Sequence, residues 1–282
     1  MEKILLITDS ASDINKDFIK KNNIKLLPFK ITFKDMEYED GIDINSKMLY
    51  EMLPNEIPKT SLPSIDRLSD ILEKGIKEGY THAIIVTISN QFSGTYNSVR
   101  LFCDNFQGLK IHVFDSLSLT MAEGAIITES VELIKAGKSF EQIVNVLPKI
   151  RDNTEVFFTI DTLEYLKKGG RIGKVAGTVG EILNLKPIIT IDKKGAFQAI
   201  FKVRGVKQSI SKLTSIAKSK LEMSKCKVWI LSGDAKEKAL TLYESIRHLP
   251  NLIECKIEGE ICPALGINTG KGLVGFVVET ID

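Results

Sequence analysis

The chain has 282 residues, of which 43% are hydrophobic and 26% are charged, with a formal net charge of +2. A chain of this length can bury a large core and is long enough for two domains, and no apolar run reaches the ~18 residues of a membrane-spanning helix. We therefore expect no stable membrane insertion. The first residues, MEKILLITDS, lack the pattern of a secretory signal, and the four cysteines show no CxxC spacing, so we expect a cytoplasmic protein.

Charge is divided unevenly between the two halves. Residues 1–150 contain 17 Lys and Arg against 21 Asp and Glu, a net of −4, whereas residues 151–282 contain 21 against 15, a net of +6. The basic residues of the second half are scattered and are not interleaved with aromatic residues, which argues against nucleic-acid binding. They form either a basic face for an acidic partner or ordinary solvated helix surfaces.

In the first half, short apolar runs alternate with longer segments of helical spacing. Strands are predicted at Lys3–Ile7, Ile24–Phe33, Ala83–Ile88 and Ile111–Phe114, and helices at Pro63–Lys77 and Gly94–Asp104. Ser139 and Gln142 form a capping-box pattern at the start of a further helix. This alternation is typical of a parallel sheet flanked by helices. A boundary at Arg151–Asn153 gives an N-terminal α/β domain over residues 1–152 and a C-terminal domain over residues 153–282.

The second half mixes strands and helices without that regular alternation. Strands are predicted at Val156–Ile160, Lys227–Leu231, Ile253–Ile257 and Leu273–Glu279, and helices at Leu163–Lys168, Lys174–Leu185, Val206–Met223 and Ala235–His248. Ile188–Asp192 and Phe197–Val203 flank Lys193-Lys194-Gly195 and predict a β-hairpin. An α+β domain with a mixed sheet is the simplest fit.

Polar residues follow three predicted strands of the first half. They are Thr8-Asp9-Ser10, Ser89-Asn90 and Asp115-Ser116. The carboxyl ends of parallel strands meet at one edge of a sheet, where open parallel sheets bind their ligands. We expect these polar ends to converge, although each residue alone is also an ordinary helix cap or turn residue.

The segment TISNQFSGTYNS, residues 87–98, is the best candidate for a ligand site. Ser93 and Gly94 open a predicted helix, whose first N–H groups have no partner within the helix and can bind an anion. The segment contains no Lys or Arg, and neutral donors suit a singly charged carboxylate better than a polyphosphate. A second hydroxyl segment, Thr60 to Ser64, precedes another helix and could close the same crevice.

Other chemistries have weaker support. The segment 270–275 matches GxGxxG only formally, because a terminal strand follows it in place of a helix. Ser93 lacks the GxSxG elbow, the three histidines are distant in the sequence, and no pattern has metal-ligand spacing. A serine-dependent esterase or acyltransferase with Ser93 as nucleophile is the alternative to a binding protein.

Seven segments occur in an order that matches a known family. They are TDSASD (8–13), TSLPS (60–64), SNQFSGTYNS (89–98), DSLSLTMAEG (115–124), TLEYLKKGGRIG (162–173), LKPII (185–189) and GINTGKG (266–272). Through them the chain resembles the DegV family of bacterial fatty-acid-binding proteins over essentially its whole length. SGTY together with LEYLKKGGRIG is the most specific part of the resemblance.

The resemblance implies a two-domain protein that buries one long-chain fatty acid between its domains, without a cofactor, a metal or a catalytic residue. The carboxylate would be held by the SGTY and TS loops, which places Ser93, Gly94, Thr60 and Ser61 at the site. The resemblance also implies that the carboxylate is presented to a separate fatty acid kinase, which converts it to an acyl phosphate for phospholipid synthesis.

Two arginines and two departures from the family pattern bear on this site. Arg171 and Arg204 are candidates for the carboxylate site or the kinase contact, with plain surface charge as the alternative. Where the family usually has HTGPG, this chain has Asn268 in place of the histidine and Lys271 in place of the proline, and Asn cannot carry charge. Ala122 stands where the family tends to have glycine, and its methyl group could reshape the acyl tunnel.

Overall fold

The structure is a computed structural model that describes residues 2–34, 36–178 and 185–281. The first 152 residues contain β1 (Ile4–Asp9), α1 (Lys16–Lys21), β2 (Lys25–Leu27), β3 (Lys30–Phe33), β4 (Met36–Glu39), α2 (Ser46–Met52), β5 (Lys59–Ser61), α3 (Ile65–Lys77), β6 (His82–Thr87), α4 (Thr95–Cys103), β7 (Lys110–Asp115), α5 (Met121–Lys135) and α6 (Phe140–Asp152). The rest contains β8 (Thr154–Thr159), α7 (Glu164–Lys168), β9 (Leu185–Ile191), β10 (Phe197–Arg204), α8 (Gly205–Met223), β11 (Lys225–Gly233), α9 (Lys236–Ile246), β12 (Leu252–Glu260), α10 (Pro263–Thr269) and β13 (Leu273–Ile281).

The first half is built on a four-stranded parallel sheet in the order β2-β1-β6-β7. Its central strands are apolar on both faces because helices cover both: α5 and α6 pack on one face, and α3 and α4 on the other. The predicted parallel α/β layout is confirmed. So is the capping box of Ser139 and Gln142 at the start of α6.

A small antiparallel sheet in the order β4-β3-β5 was not predicted. The single strand predicted over Ile24–Phe33 is wrong, because this stretch forms two strands that belong to different sheets. They are separated at Pro28, which has no backbone N–H to donate to a strand neighbour. The small sheet presents Thr60 and Ser61 on β5.

The second half is built on a six-stranded mixed sheet in the order β10-β9-β8-β13-β11-β12, in which only β11 and β12 are parallel neighbours. The predicted hairpin is confirmed as β9 and β10. Helices α8 and α9 cover one face of the sheet. The other face packs against the first half in a core that includes Ala11, Ile88, Phe158 and Leu231.

The predicted helix over Lys174–Leu185 is only partly described. A 3-10 helix spans Gly173–Thr178, residues 179–184 lie outside the described residues, and Leu185 begins β9. Helix α5 was not predicted because most of its first seven residues are apolar and all are buried, which hides the 3.6-residue periodicity of an amphipathic helix.

The two halves are joined by polar contacts as well as by the shared core. Ser89 Oγ donates to the carbonyl oxygen of Gly195 at 2.8 Å, and the backbone N–H of Cys262 donates to Asp13 Oδ1 at 2.8 Å. The division at residues 151–153 coincides with the end of α6 and stays a prediction. Within the described residues, no helix combines the length and the apolar character needed to cross a bilayer.

Candidate functional site

A cavity of about 1050 Å³, its open mouth included, lies between the six-stranded sheet and the carboxyl edge of the parallel sheet. Both halves line it. The apolar lining includes Ala11, Phe29, Ile88 and Leu119 from the first half and Val156, Phe158, Phe197, Leu231, Ile261 and Leu273 from the second. All of these side chains are buried, so the floor of the cavity is apolar.

Most of the polar lining residues are at least partly exposed, whereas Thr120 and Thr269 are buried and their hydroxyl groups donate within the protein. Ser61, Gly94 and Arg171 are exposed, and Ser93 and Asn268 are half-buried. The cavity therefore has an amphipathic character, with hydrogen-bond donors where solvent enters and hydrocarbon below. A ligand with a polar head and a long apolar tail matches this arrangement.

Ser93 stands at the start of α4. Its Oγ lies 2.8 Å from the hydroxyl oxygen of Thr95 and accepts the backbone N–H of Thr95 at 3.3 Å. The helix begins after Gly94, which has no side chain to cap it, and its first turn contains no acidic residue. An anion at this end is favoured by the helix dipole and by the N–H groups of the first turn.

The TS loop lies against the SGTY loop. Thr60 and Ser61 are at the end of β5, where Thr60 pairs with Ile31 of β3. The next residue, Leu62, packs over Gly94, since a Cβ at position 94 would lie 3.7 Å from Leu62 Cδ2. The small sheet thus carries the two hydroxyl groups to the start of α4.

Arg171 is the one charged side chain among the described residues that line the cavity. Its Nε donates to the carbonyl oxygen of Phe92 at 3.3 Å, and its Nη1 donates to that of Gly169 at 2.5 Å. The first bond joins the GGRIG segment to the residue that precedes Ser93, and the second holds the guanidinium group within its own segment. A positive charge is thereby held beside the predicted carboxylate site.

Asn268 lies on α10, and its Nδ2 donates to the carbonyl oxygen of Ala264 at 3.2 Å. A Cβ at Gly169 would come within 2.2 Å of Asn268 Oδ1, so glycine is needed there for the two segments to meet. Lys271, which replaces the proline of the same family motif, forms an ion pair with Asp234 at 3.1 Å and does not line the cavity.

Six of the seven predicted site residues therefore line one cavity: Thr60, Ser61, Ser93, Gly94, Arg171 and Asn268. Arg204 does not. It is exposed at the far end of β10, seven residues beyond the cavity residue Phe197, which corresponds to about 23 Å along a strand. Ala122 is buried in the core of α5 and does not contribute to the cavity wall.

Three aromatic rings that were not singled out from the sequence meet in the cavity. The Phe92 and Phe197 rings are 4.3 Å apart, and the Phe158 ring meets that of Phe197 edge-on at 5.5 Å. They come from the SGTY loop, β10 and β8. Phe92 lies within a recognised motif, but the other two could be found only once the sheet register showed which face they occupy.

The predicted convergence of polar strand ends does occur, but it forms the wall behind the cavity. Asp9 accepts the backbone N–H of Ala11 at 2.9 Å and that of Ile88 at 2.8 Å, and both of these residues line the cavity. Asp13 accepts the hydroxyl of another lining residue, Thr120, at 2.6 Å. The two carboxyl groups thus fix the loops that shape the cavity.

Four carboxyl groups are buried in this wall. Burial raises the pKa of Asp9 and that of Asp13 from 3.8 to about 7, and the pKa of Asp40 to about 6. Burial and the neighbouring charge of Asp9 raise the pKa of Glu123 well above its usual range. Glu123 Oε1 accepts the Thr8 hydroxyl at 2.9 Å, and Oε2 has no hydrogen-bond partner among the described residues. The direction of this shift favours the neutral form of Glu123 beside Asp9.

Ser93 is also the nucleophile of the alternative prediction, a serine-dependent esterase or acyltransferase. Among the described residues that line the cavity there is no His, Asp, Glu or Lys that could serve Ser93 as a general base. The hydroxyl of Ser93 shares a hydrogen bond with that of Thr95, which is another neutral group. No cluster of metal-binding side chains is found in the part of the chain that the structure describes.

Comparison with known proteins gives one family. The protein-family model described as "Uncharacterised protein, DegV family" matches residues 3–280 of this chain. A DegV domain-containing protein of Clostridium acetobutylicum is 46% identical over 278 residues, and one of Clostridium perfringens is 46% identical over 279 residues. Each alignment covers 99% of this chain and 99% of the relative.

Solved structures of DegV family proteins and of a related fatty-acid-binding protein have the same fold as this chain. A fatty-acid-binding DegV family protein from Thermus thermophilus has a TM-score of 0.92 and 27% identity, covering 99% of this chain and 100% of its own. DegV of Bacillus subtilis, described as a fatty acid binding protein, has a TM-score of 0.90 and 25% identity over 100% of both chains. A stearic-acid-binding protein from Eubacterium ventriosum has a TM-score of 0.86 and 28% identity over 99% of this chain and 98% of its own.

Proposed function

This chain belongs to the DegV family, and we propose that it binds a single long-chain fatty acid, with the acyl chain in the cavity and the carboxylate at its mouth. The observation that carries the proposal is the polar mouth over an apolar floor. The three solved relatives above, which are described as binding fatty acids, support it. Burial of an acyl chain contributes ~0.8 kcal/mol per CH₂, so the tail supplies most of the affinity and the polar mouth fixes the orientation.

Native mass spectrometry of the protein purified from bacterial cells tests this directly. The expected result is one added mass per 31.4 kDa chain, identified as a long-chain fatty acid after extraction. Ligand-free protein that also fails to take up added fatty acid would overturn the proposal.

Ser93→Ala is expected to weaken fatty-acid binding by about 1 to 3 kcal/mol, which is roughly 5- to 150-fold in Kd. The reason is that the carboxylate at the mouth of the cavity would lose the hydroxyl donor of Ser93 next to the start of α4. Competition binding with a fluorescent fatty acid measures the effect. The methyl ester of the same fatty acid carries no charge and should be affected less.

Ser98→Ala is the matched control for this change. Ser98 lies on the same helix, α4, but does not line the cavity. Its variant should bind like the unaltered protein. Equal affinities for Ser93→Ala and Ser98→Ala would remove Ser93 from the binding site while leaving the acyl cavity itself in place.

We further propose that the cytoplasmic role of the bound fatty acid is presentation to a fatty acid kinase, which forms an acyl phosphate for phospholipid synthesis. The resemblance to the family and the exposure of Arg171 at the mouth support this step. Arg204 is exposed outside the cavity and is a candidate for the kinase contact only. We assign no catalytic step to this chain, because the described residues that line its cavity include no base for Ser93.

A further inference from the structure

Strand β12 forms one edge of the six-stranded sheet. It is nine residues long and pairs with β11 on one side, with one shift of register at Ile253 and another at Glu258, so that residues 254–257 are its regular stretch. No strand of the described residues pairs with its other side. Ile253 and Ile257 are 50% and 44% exposed along it. A long edge strand with free backbone groups and exposed apolar side chains is a template for pairing with another strand.

The sequence of β12 is complementary to itself. Residues 253–257 are Ile-Glu-Cys-Lys-Ile. Isoleucine stands two residues to either side of Cys255, and the residues next to Cys255, Glu254 and Lys256, carry opposite charges. In an antiparallel pair of two such strands related by a twofold axis at Cys255, each Ile253 lies opposite Ile257 and each Glu254 opposite Lys256 of the other copy. Directly opposite apolar pairs and opposite-charge pairs stabilise antiparallel strands.

The charges favour this register over its neighbours. Glu254 Oε1 and Lys256 Nζ are already 2.8 Å apart within one strand, so two copies would place four alternating charges together. A twofold axis at Lys256 would set lysine against lysine and Glu254 against Glu258, and an axis at Glu254 would set glutamate against glutamate. Like charges directly opposite each other are destabilising.

Helix α9 widens the apolar surface beside this edge. Tyr243 of α9 lines a groove together with Cys255 and Ile257 of β12. Leu240, three residues earlier, lies on the same face of the helix and is 51% exposed. A second copy placed on the edge of β12 would bring an identical helix to this face.

We propose that β12 is a self-association surface through which two copies of this chain form a dimer with one continuous sheet. We infer that the partner is a second copy of this chain, because the same strand running in the opposite direction places isoleucine opposite isoleucine and glutamate opposite lysine. The cavity mouth residues are not part of this surface, so the dimer is compatible with ligand binding.

Charge reversal tests the proposal by sedimentation velocity over a wide range of concentration. The protein is expected to approach twice 31.4 kDa as the concentration rises. Lys256→Glu and Glu254→Lys alone should each weaken dimerisation about tenfold or more, because each sets like charges opposite each other twice. An equimolar mixture of the two variants, and the double variant E254K/K256E, should both recover the dimer.

Thiol cross-linking gives a second readout of the same register. Opposite Cα atoms in an antiparallel pair are about 4.5 to 5.5 Å apart, within the range that a disulfide bridges. The oxidant diamide should therefore yield a covalent dimer that Cys255→Ser abolishes and Cys103→Ser, at another half-buried cysteine, does not. A monomer at every concentration, or a dimer that charge reversal leaves unchanged, would overturn the proposal.

Discussion

Gly195→Ala is expected to lower the free energy of unfolding by about 3 kcal/mol and to release the bound ligand. Gly195 has φ +84°, and a Cβ on it would lie 2.2 Å from Ser89 Oγ and 3.1 Å from Leu117 Cα. The hairpin turn would have to move away from the first half. It would then lose the 2.8 Å hydrogen bond from Ser89 Oγ to the carbonyl oxygen of Gly195, and Ser89 is fully buried.

The ligand effect follows from the position of the turn. Phe197 begins β10 only two residues after Gly195, and its ring packs against Phe92 and Phe158 in the cavity. A displaced turn would separate these rings and open the apolar floor to water. Urea unfolding and retention of fatty acid in native mass spectrometry measure the two effects.

Gly79→Ala is the matched control. Gly79 has φ +81°, but no atom lies within 4 Å of the place where its Cβ would stand. The Gly79→Ala substitution should lower the free energy of unfolding only by the penalty for a left-handed alanine, about 1 kcal/mol, and should leave ligand retention unchanged. If both variants lost the same stability, the contact between the hairpin turn and the first half would not be the cause.

The elements that were predicted well are those whose local sequence indicates their burial or their backbone conformation. The runs that became β1 and β6 are apolar without alternation, as expected of strands covered on both faces. The turn at Lys193-Lys194-Gly195 has hairpin chemistry in the sequence itself. The same holds for Ser93 and Gly94, since a hydroxyl and a glycine at a helix start predict an anion site without knowledge of the tertiary structure.

What could not be predicted depends on which distant segments meet. Asp40 lies in the buried wall because its Oδ2 accepts the hydroxyl of Ser10, 30 residues away, at 2.7 Å. In the sequence Asp40 resembles an exposed turn residue. Arg204 was a candidate for the carboxylate site from its place after the predicted hairpin, but the direction of β10 carries it away from the cavity.

Between about pH 4 and pH 7 the free energy of unfolding is expected to fall as the pH rises. In the unfolded chain Asp9 and Asp13 lose their protons near 3.8, whereas burial keeps the protons on them up to about pH 7 in the folded protein. The folded state therefore binds more protons than the unfolded state in this window. For each additional proton that the folded state holds, the free energy of unfolding falls by about 1.4 kcal/mol for every unit by which the pH rises.

Glu123→Gln measures the contribution of a third buried carboxyl group, that of Glu123, to this pH dependence. A glutamine can accept the Thr8 hydroxyl through Oε1 as Glu123 does, and its amide can donate to Asp9 as the protonated acid does. The amide does not titrate in either state. The stability of the variant relative to the unaltered protein should therefore rise with pH above the ordinary glutamate pKa of 4.5, by up to about 1.4 kcal/mol per pH unit, measured by urea unfolding.

Glu132→Gln is the control, since Glu132 lies on the same helix, α5, but is exposed and pairs with Lys135. Its curve should run parallel to that of the unaltered protein. His112 works in the opposite direction, because burial lowers its pKa and the folded state loses stability as the pH falls. That contribution is common to all three proteins and cancels in the differences. Parallel curves for Glu123→Gln would mean that Glu123 loses its proton at the same pH in the folded and the unfolded protein, which would contradict the raised pKa.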